Sequence, residues 1–281
     1  MSCDVRFALD VVQYAMSSQR TKRWGSLLGF SLRSLPHAYG RVFLRHMVLR
    51  HPLRTARGLW AYWRTSGSCA TDQRALSGIR DAAWLEQATR DGERLLVATG
   101  FCQKPLRAAN GAHDCPAGRF NHDCLYLSQL DLDAAATQLH PACAVCPIRV
   151  LGHTSLRAGA SFAVLTSALD IAQDILLPSL DEQRFTHILF AICPYSLEPM
   201  TLALLICGVD GYLFSYEAGV CGNHAEWLRA DRGDKPEQSS LSGPGTTSLL
   251  YLLEAIAAGR AELGVAQPTG YQQEDNVFRP I

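Results

Sequence analysis

The chemistry available to this chain is concentrated in its thiols: ten cysteines in 281 residues. In a reducing compartment, thiols at that density act as metal ligands or redox groups more often than as disulfides. Cys143 and Cys146 form a C-x-x-C, so two thiolates can reach one ion from a single turn, and a helix predicted to begin at Pro147 sets its positive end beside them. Cys115 and Cys124 lie upstream in the run HDCPAGRFNHDC, spaced C-x8-C, and with the first pair they make a plausible tetrathiolate set. Cys102, Cys193 and Cys221 form a second group. Each follows an apolar run that reads as a strand: VATG before Cys102, LFAI before Cys193 and YLFSY upstream of Cys221.

Cys115, Cys146 and Cys193 are each followed by proline. Cys-Pro recurs beside iron–sulfur ligands, and zinc sites more often carry two short C-x-x-C knuckles where this chain has one. An iron–sulfur cluster, of the [4Fe-4S] kind, is therefore expected over zinc. Seven thiols exceed what one cluster needs, so a four-plus-three division follows. Cys115, Cys124, Cys143 and Cys146 would hold a structural or electron-transfer centre. Cys102, Cys193 and Cys221 would hold a cluster with one iron open to a small-molecule substrate. A metal-free thiol redox protein is a further reading, although the C-x-x-C lacks the strand context of a thioredoxin-like dithiol. Cys207, inside the apolar run LALLICGV, reads as core, and Cys3 and Cys69 carry no assignment.

Other candidates rest on position alone. Glu217, Glu198 and Asp170 each fall just beyond a predicted strand and are candidate acid/base groups. His113, His122, His140 and His224 flank the cysteines as substitute ligands or hydrogen-bond donors to sulfur. Residues 229–241 (RADRGDKPEQSSL) read as a solvated connection, or as a lid carrying Lys235 and Glu237. GPGTT before the last helix resembles a phosphate turn only loosely, because the lysine of that motif is missing.

The elements that must position these groups alternate. Arg94–Thr99, Ser161–Leu165, His187–Ile192 and Tyr212–Tyr216 are predicted strands. Asp81–Arg90, Pro147–Ala158, Asp170–Leu180, Pro199–Val209 and Thr247–Ala258 are predicted helices. Such alternation predicts an α/β fold with a mostly parallel sheet, flanking helices and a Cys-rich loop insertion over 103–142. Ligands of parallel sheets bind beyond the carboxyl ends of strands, which is where the three-cysteine group falls.

Ahead of this domain lies a basic helical region. Lys plus Arg and Asp plus Glu both number 26, yet residues 1–70 hold eleven of the basic residues and two acids. Val42, Leu49, Leu53, Ala56, Trp60 and Trp63 fall on one helical stripe, with Arg50, Arg54, Arg57 and Arg64 beside it. Residues 20–64 therefore suit either packing onto the acidic remainder or docking on an anionic membrane or a redox partner protein. No nucleic-acid signature accompanies the charge, so nucleic acid ranks low. The division expected is 1–78 for the helical region and linker, 79–260 for the α/β domain, and 261–281 for an extended tail. The most apolar stretch, Ile188–Val209, is interrupted by Glu198 and two prolines, and no secretory h-region is visible. A cytoplasmic protein, or one held at a membrane surface, is expected. The rival to a metalloenzyme is a zinc-stabilised scaffold module docking through its basic helices.

Overall fold

The computed structural model describes residues 21–65, 73–76, 81–106, 114–130 and 140–281. Cys3, Cys69, His113 and most of the expected linker lie outside them. Helix α1 covers 21–34. Helix α2, Ala38–Val42, runs on through a π-helical stretch, Phe43–Leu49, and α3 is Pro52–Arg64. Then follow β1 (Gln73–Ala75), α4 (Asp81–Arg90), β2 (Leu95–Gly100), α5 (Leu125–Ser128), α6 (Pro141–Ala144), α7 (Pro147–Arg157) and β3 (Ser161–Leu165). Helix α8 (Ala168–Asp170) continues through a π-helical turn into α9 (Leu177–Asp181). It is followed by β4 (His187–Ile192), α10 (Leu197–Cys207), β5 (Asp210–Ala218), α11 (His224–Ala230), β6 (Ser240–Leu241), α12 (Gly243–Glu262), β7 (Tyr271–Glu274) and β8 (Val277–Pro280).

The sheet is mixed, with eight strands in the order β1-β5-β4-β2-β3-β8-β7 and β6 paired to β5. Strands β2, β3, β4 and β5 run parallel, as their continuous apolar sequences predict. The antiparallel strands come from segments whose sequence reads as connection or tail. Within the expected linker, Gln73–Ala75 adds to β5. The expected tail is a hairpin: Val277 and Phe278 are buried, β8 pairs with β3, and Asp275 turns the chain with a φ of 54°. "Mostly parallel" thus holds for the four central strands alone.

Alternation along those strands builds two cores. Leu96, Ala98, Ile188, Phe190 and Leu213 face α1, α3, the α8–α9 helix and α10. Leu95, Val97, Phe162, Leu189 and Phe214 face α4, α7 and α12. A strand buried on both faces must be apolar at nearly every position, which LLVATG and HILFAI satisfy except at Thr99, whose hydroxyl is hydrogen-bonded, and at His187.

The N-terminal helices pack onto the α/β domain, but not through the stripe that periodicity suggested. Met47, Thr55, Gly58 and Tyr62 are buried, while Leu49, Leu53, Trp60 and Trp63 are exposed. The reason is close approach. A Cβ on Gly58 would stand 2.5 Å from Cγ1 and 2.8 Å from Cα of Ile206, so α3 lies directly against α10 where only glycine fits. An ion-pair knot fixes the same junction. Glu198 meets Arg23 at 3.1 Å and Arg74 at 2.7 Å, and it accepts the Tyr62 hydroxyl at 2.7 Å. Burial raises the Glu198 pKa and its hydrogen bonds and ion pairs outweigh that, so the net direction is down.

Removing one partner of a buried pair strands the others, at a cost of roughly 3–5 kcal/mol. Glu198→Gln is accordingly expected to lower the urea midpoint and to expose α1–α3 to protease first. The depressed pKa places this stabilisation above the unfolded carboxyl range, near 4.5, and it is lost as pH falls through the folded value. A variant whose acid-unfolding curve matches wild type would show that the knot contributes nothing.

Candidate metal centres

The chain leaves β2 for β3 on one side and leaves β4 for β5 on the other. The carboxyl ends of β2 and β4 therefore border a crevice where the connections diverge, the place at which open α/β sheets take their ligands. Cys102 lies in a single 3-10 turn straight after β2 (Phe101–Gln103), Cys193 follows β4 at once, and Cys221 lies beyond β5. With Ala191 and Tyr216 the three form a small buried cluster apart from the two cores. The thiols of Cys193 and Cys221 are in hydrogen-bonding contact, and Cys102 feels Cys221 electrostatically.

Tyr216 holds the base of this site. Its hydroxyl accepts from the Gly100 amide at 3.0 Å, donates to the Ala191 carbonyl at 2.8 Å and lies 3.1 Å from the Thr99 hydroxyl. One phenol on β5 thereby registers the ends of β2 and β4. Two buried cations bracket the thiols. Arg119, from the insertion, donates to the carbonyls of Lys235 and Glu237 and, at 3.3 Å, of Cys102. Lys235 hydrogen-bonds Cys221. The Ser239 amide donates to the Cys102 carbonyl at 2.8 Å, so the 229–241 connection closes onto the site rather than being solvated. Burial pushes the Cys102 thiol up. Cys193 is raised first by its hydrogen bond to Cys221 and then by burial. Cys221 is drawn down to about 7, chiefly by that same hydrogen bond, with Lys235 helping. The three cysteines help line a cavity of about 390 Å³, otherwise mainly apolar and roofed by α1 and α2.

The second group also converges. Cys115, Cys124, Cys143 and Cys146 line one small space of about 10 Å³. Cys124 and Cys146 each precede a helix, and the first amides of that helix (Tyr126 and Leu127, Ile148 and Arg149) point at their sulfurs. Burial still raises both thiols, Cys124 to about 11. Lys104, only 1% exposed, fastens the loop. Its ammonium donates to the carbonyls of Gly118 (3.1 Å), Asn121 (3.0 Å) and Asp123 (2.8 Å) and to the Asn121 side chain. Burial lowers its pKa, while Cys115, Cys124, Asp123 and Cys146 act in the opposite direction. A buried ammonium with neutral hydrogen-bond partners calls for nearby negative charge, and ionised thiols would supply it. Among the described residues, no group of three or more His, Cys, Asp or Glu side chains stands in a geometry ready to hold a metal ion.

The candidate acids are elsewhere engaged. Glu217 is exposed at the end of β5 and does not line the cavity. Glu198 is consumed by its ion pairs. Asp170 closes a capping box with Ser167, accepts from Thr166 and faces His122 at 3.5 Å. Those hydrogen bonds outweigh burial and hold it at about 2, too acidic for a general base. His122 is tied to the Val164 carbonyl, His140 caps α6, and His224 stacks on Trp227, so none points at a thiol group. Cys207 is core and donates to the Leu176 carbonyl. Ser242 caps the helix that GPGTT opens. Arg119, Lys104 and Asp231 were not anticipated. Asp231 lines the cavity, accepts from the Ala168 amide at 2.6 Å and is raised mainly by burial. The one available signal was a lone Lys and a lone Arg set between closely spaced cysteines.

In metal-free protein, Cys221 is expected to alkylate first among the cavity thiols, with a midpoint below that of an ordinary thiol. Lys235→Gln should move that midpoint upward; an unmoved midpoint would remove Lys235 from the site. No protein-family model, no curated protein and no solved structure matches this chain.

Proposed function

We propose that this is an iron–sulfur enzyme whose cluster is held by Cys102, Cys193 and Cys221 and acts on a small molecule in the adjoining cavity. The observation that carries the reading is the meeting of three thiols, from three separate strand ends, at the wall of an apolar cavity of about 390 Å³. That volume falls within the roughly 300–1,000 Å³ of small-molecule sites. A cluster with three protein ligands supplies an iron able to act as Lewis acid or to pass electrons. The chain's own groups would do the rest. Cys102, Cys193 and Cys221 would hold the cluster as thiolates, and Lys235 and Arg119 would offset the negative charge that they bring. Apolar walls would exclude water, and Asp231, whose pKa burial raises, is the carboxyl group on the cavity side.

Cys115, Cys124, Cys143 and Cys146 would form a second centre with a structural role. Their interior of about 10 Å³ has room for about one water-sized body, which favours a single ion such as zinc there. Loading would turn the side chains inward and release protons from thiols now held up by burial.

Iron, acid-labile sulfide and zinc measured on protein purified without oxygen test this reading. The expected result is about four iron and four sulfide per chain together with about one zinc. Cys193→Ser should remove the iron and leave the fold, whereas Cys143→Ser should destabilise the protein. Zinc without sulfide would sink the enzyme reading in favour of a zinc-stabilised scaffold.

A further inference from the structure

The cavity has a roof that sequence periodicity alone did not reveal. Of the fifteen large apolar side chains that stand exposed among the described residues, nine lie between Leu28 and Trp63. Leu53 is 77% and Trp60 65% exposed. Residues 21–65 contain nine Lys or Arg and no acid. Arg23 and Arg54 are spent on the α/β domain, through Glu198 and the Leu180 carbonyl. Lys22, Arg33, Arg41, Arg45, Arg50, Arg57 and Arg64 are exposed. Leucine and tryptophan flanked by exposed cations is the composition of a helix lying in an anionic lipid interface. Among the described residues no helix is long and apolar enough to cross a membrane, so the contact would be a surface one.

The same helices wall the cavity. Leu35 and Leu44 line it and are also 44% and 39% exposed, so the cavity reaches the lipid-type surface between them. Its ionisable groups, Asp231, Lys235 and the thiols, belong to the sheet edge and α11 side. On the α1–α2 side the Ser34 and Tyr39 hydroxyls are buried at the wall, where they meet each other and find no other hydrogen-bond partner among the described residues. Two hydroxyls bonded only to each other still hold one donor and several acceptor lone pairs that a ligand can use.

We infer that α1–α3 seat the protein on an anionic bilayer, and that the cavity takes from it a lipid-soluble molecule with an apolar chain and a hydrogen-bonding head. This rests on the cavity being the substrate site of the cysteine group. The chain would lie along Leu27, Phe43, Ile171 and Met200, and the head would reach the Ser34 and Tyr39 hydroxyls or the thiol end.

Two measurements on the full-length, anaerobically purified protein test it. Sedimentation with phosphatidylcholine vesicles, with and without phosphatidylglycerol, reads the surface. Binding is expected only with the anionic lipid, weakening with salt, and falling about tenfold or more in a Leu53→Ser, Trp60→Ser variant that stays folded. Equal binding to both vesicles, an unchanged variant, or a dimer covering the patch in place of vesicle binding would overturn it. Quenching of Trp227, which lines the cavity, by decyl- and methyl-substituted benzoquinones reads the ligand, with Trp227→Phe removing the signal. The decyl compound is expected to bind at least about a hundredfold more tightly. Iron-loaded protein that treats the two quinones alike would overturn this inference and leave the cluster standing. Iron-free protein that prefers the decyl compound would do the reverse.

Discussion

Positive charge buried beside sulfur is the constraint on which the candidate centres depend. Lys104, Arg119 and Lys235 are all sunk in the protein, and most of their hydrogen bonds go to neutral carbonyls. Carbonyls satisfy donors but do not cancel charge, and in a medium of low polarity an uncancelled charge is expensive. The groups able to cancel it are chiefly thiols. A cysteine buried in apolar surroundings prefers its proton, as Cys102 and Cys124 do, so each cation and its neighbouring thiols are mutually dependent. Metal would complete the arrangement by keeping the thiolates ionised.

The rest of the molecule places those charges. Divergence of the chain after β2 and β4 opens a crevice, Tyr216 aligns its two lips, and the 229–241 connection folds across it by bonding Cys102. The N-terminal helices then close the other side of the cavity, anchored by the Glu198 knot and the Gly58 contact. One face of those helices is occupied with protein, and the opposite one keeps its leucines, tryptophans and arginines in solvent. Periodicity could not choose between these faces, because both carry large apolar residues at helical spacing.

Much of the positioning was legible in the sequence. The four parallel strands, the helices between them and the two cysteine groups follow from apolar runs and from where each cysteine falls relative to a strand end. The edge strands were not legible. QRA is too short and polar to read as a strand, and YQQEDNVFRP is paired because β3 offers a free edge, a tertiary fact. Position beyond a strand also misjudged Glu198, Glu217 and Asp170. It cannot tell a carboxylate facing the cavity from one spent on an arginine, on solvent or on a helix cap. Lys104 and Arg119 left only their place among the cysteines as a signal, since burial of a long cation depends on which loop folds over it.

Cys102 and Lys104 are separated by Gln103 alone, within and just after a single 3-10 turn whose buried Gln103 is pinned to Thr99. One residue faces the three-thiol crevice, and the other threads the loop of the four-thiol set. Arg119, from that same loop, reaches back to the Cys102 carbonyl. The two cysteine groups thus share one short, pinned turn. Disorder in the four-thiol loop would therefore loosen the crevice, with that loop serving as the keystone against which the crevice is shaped.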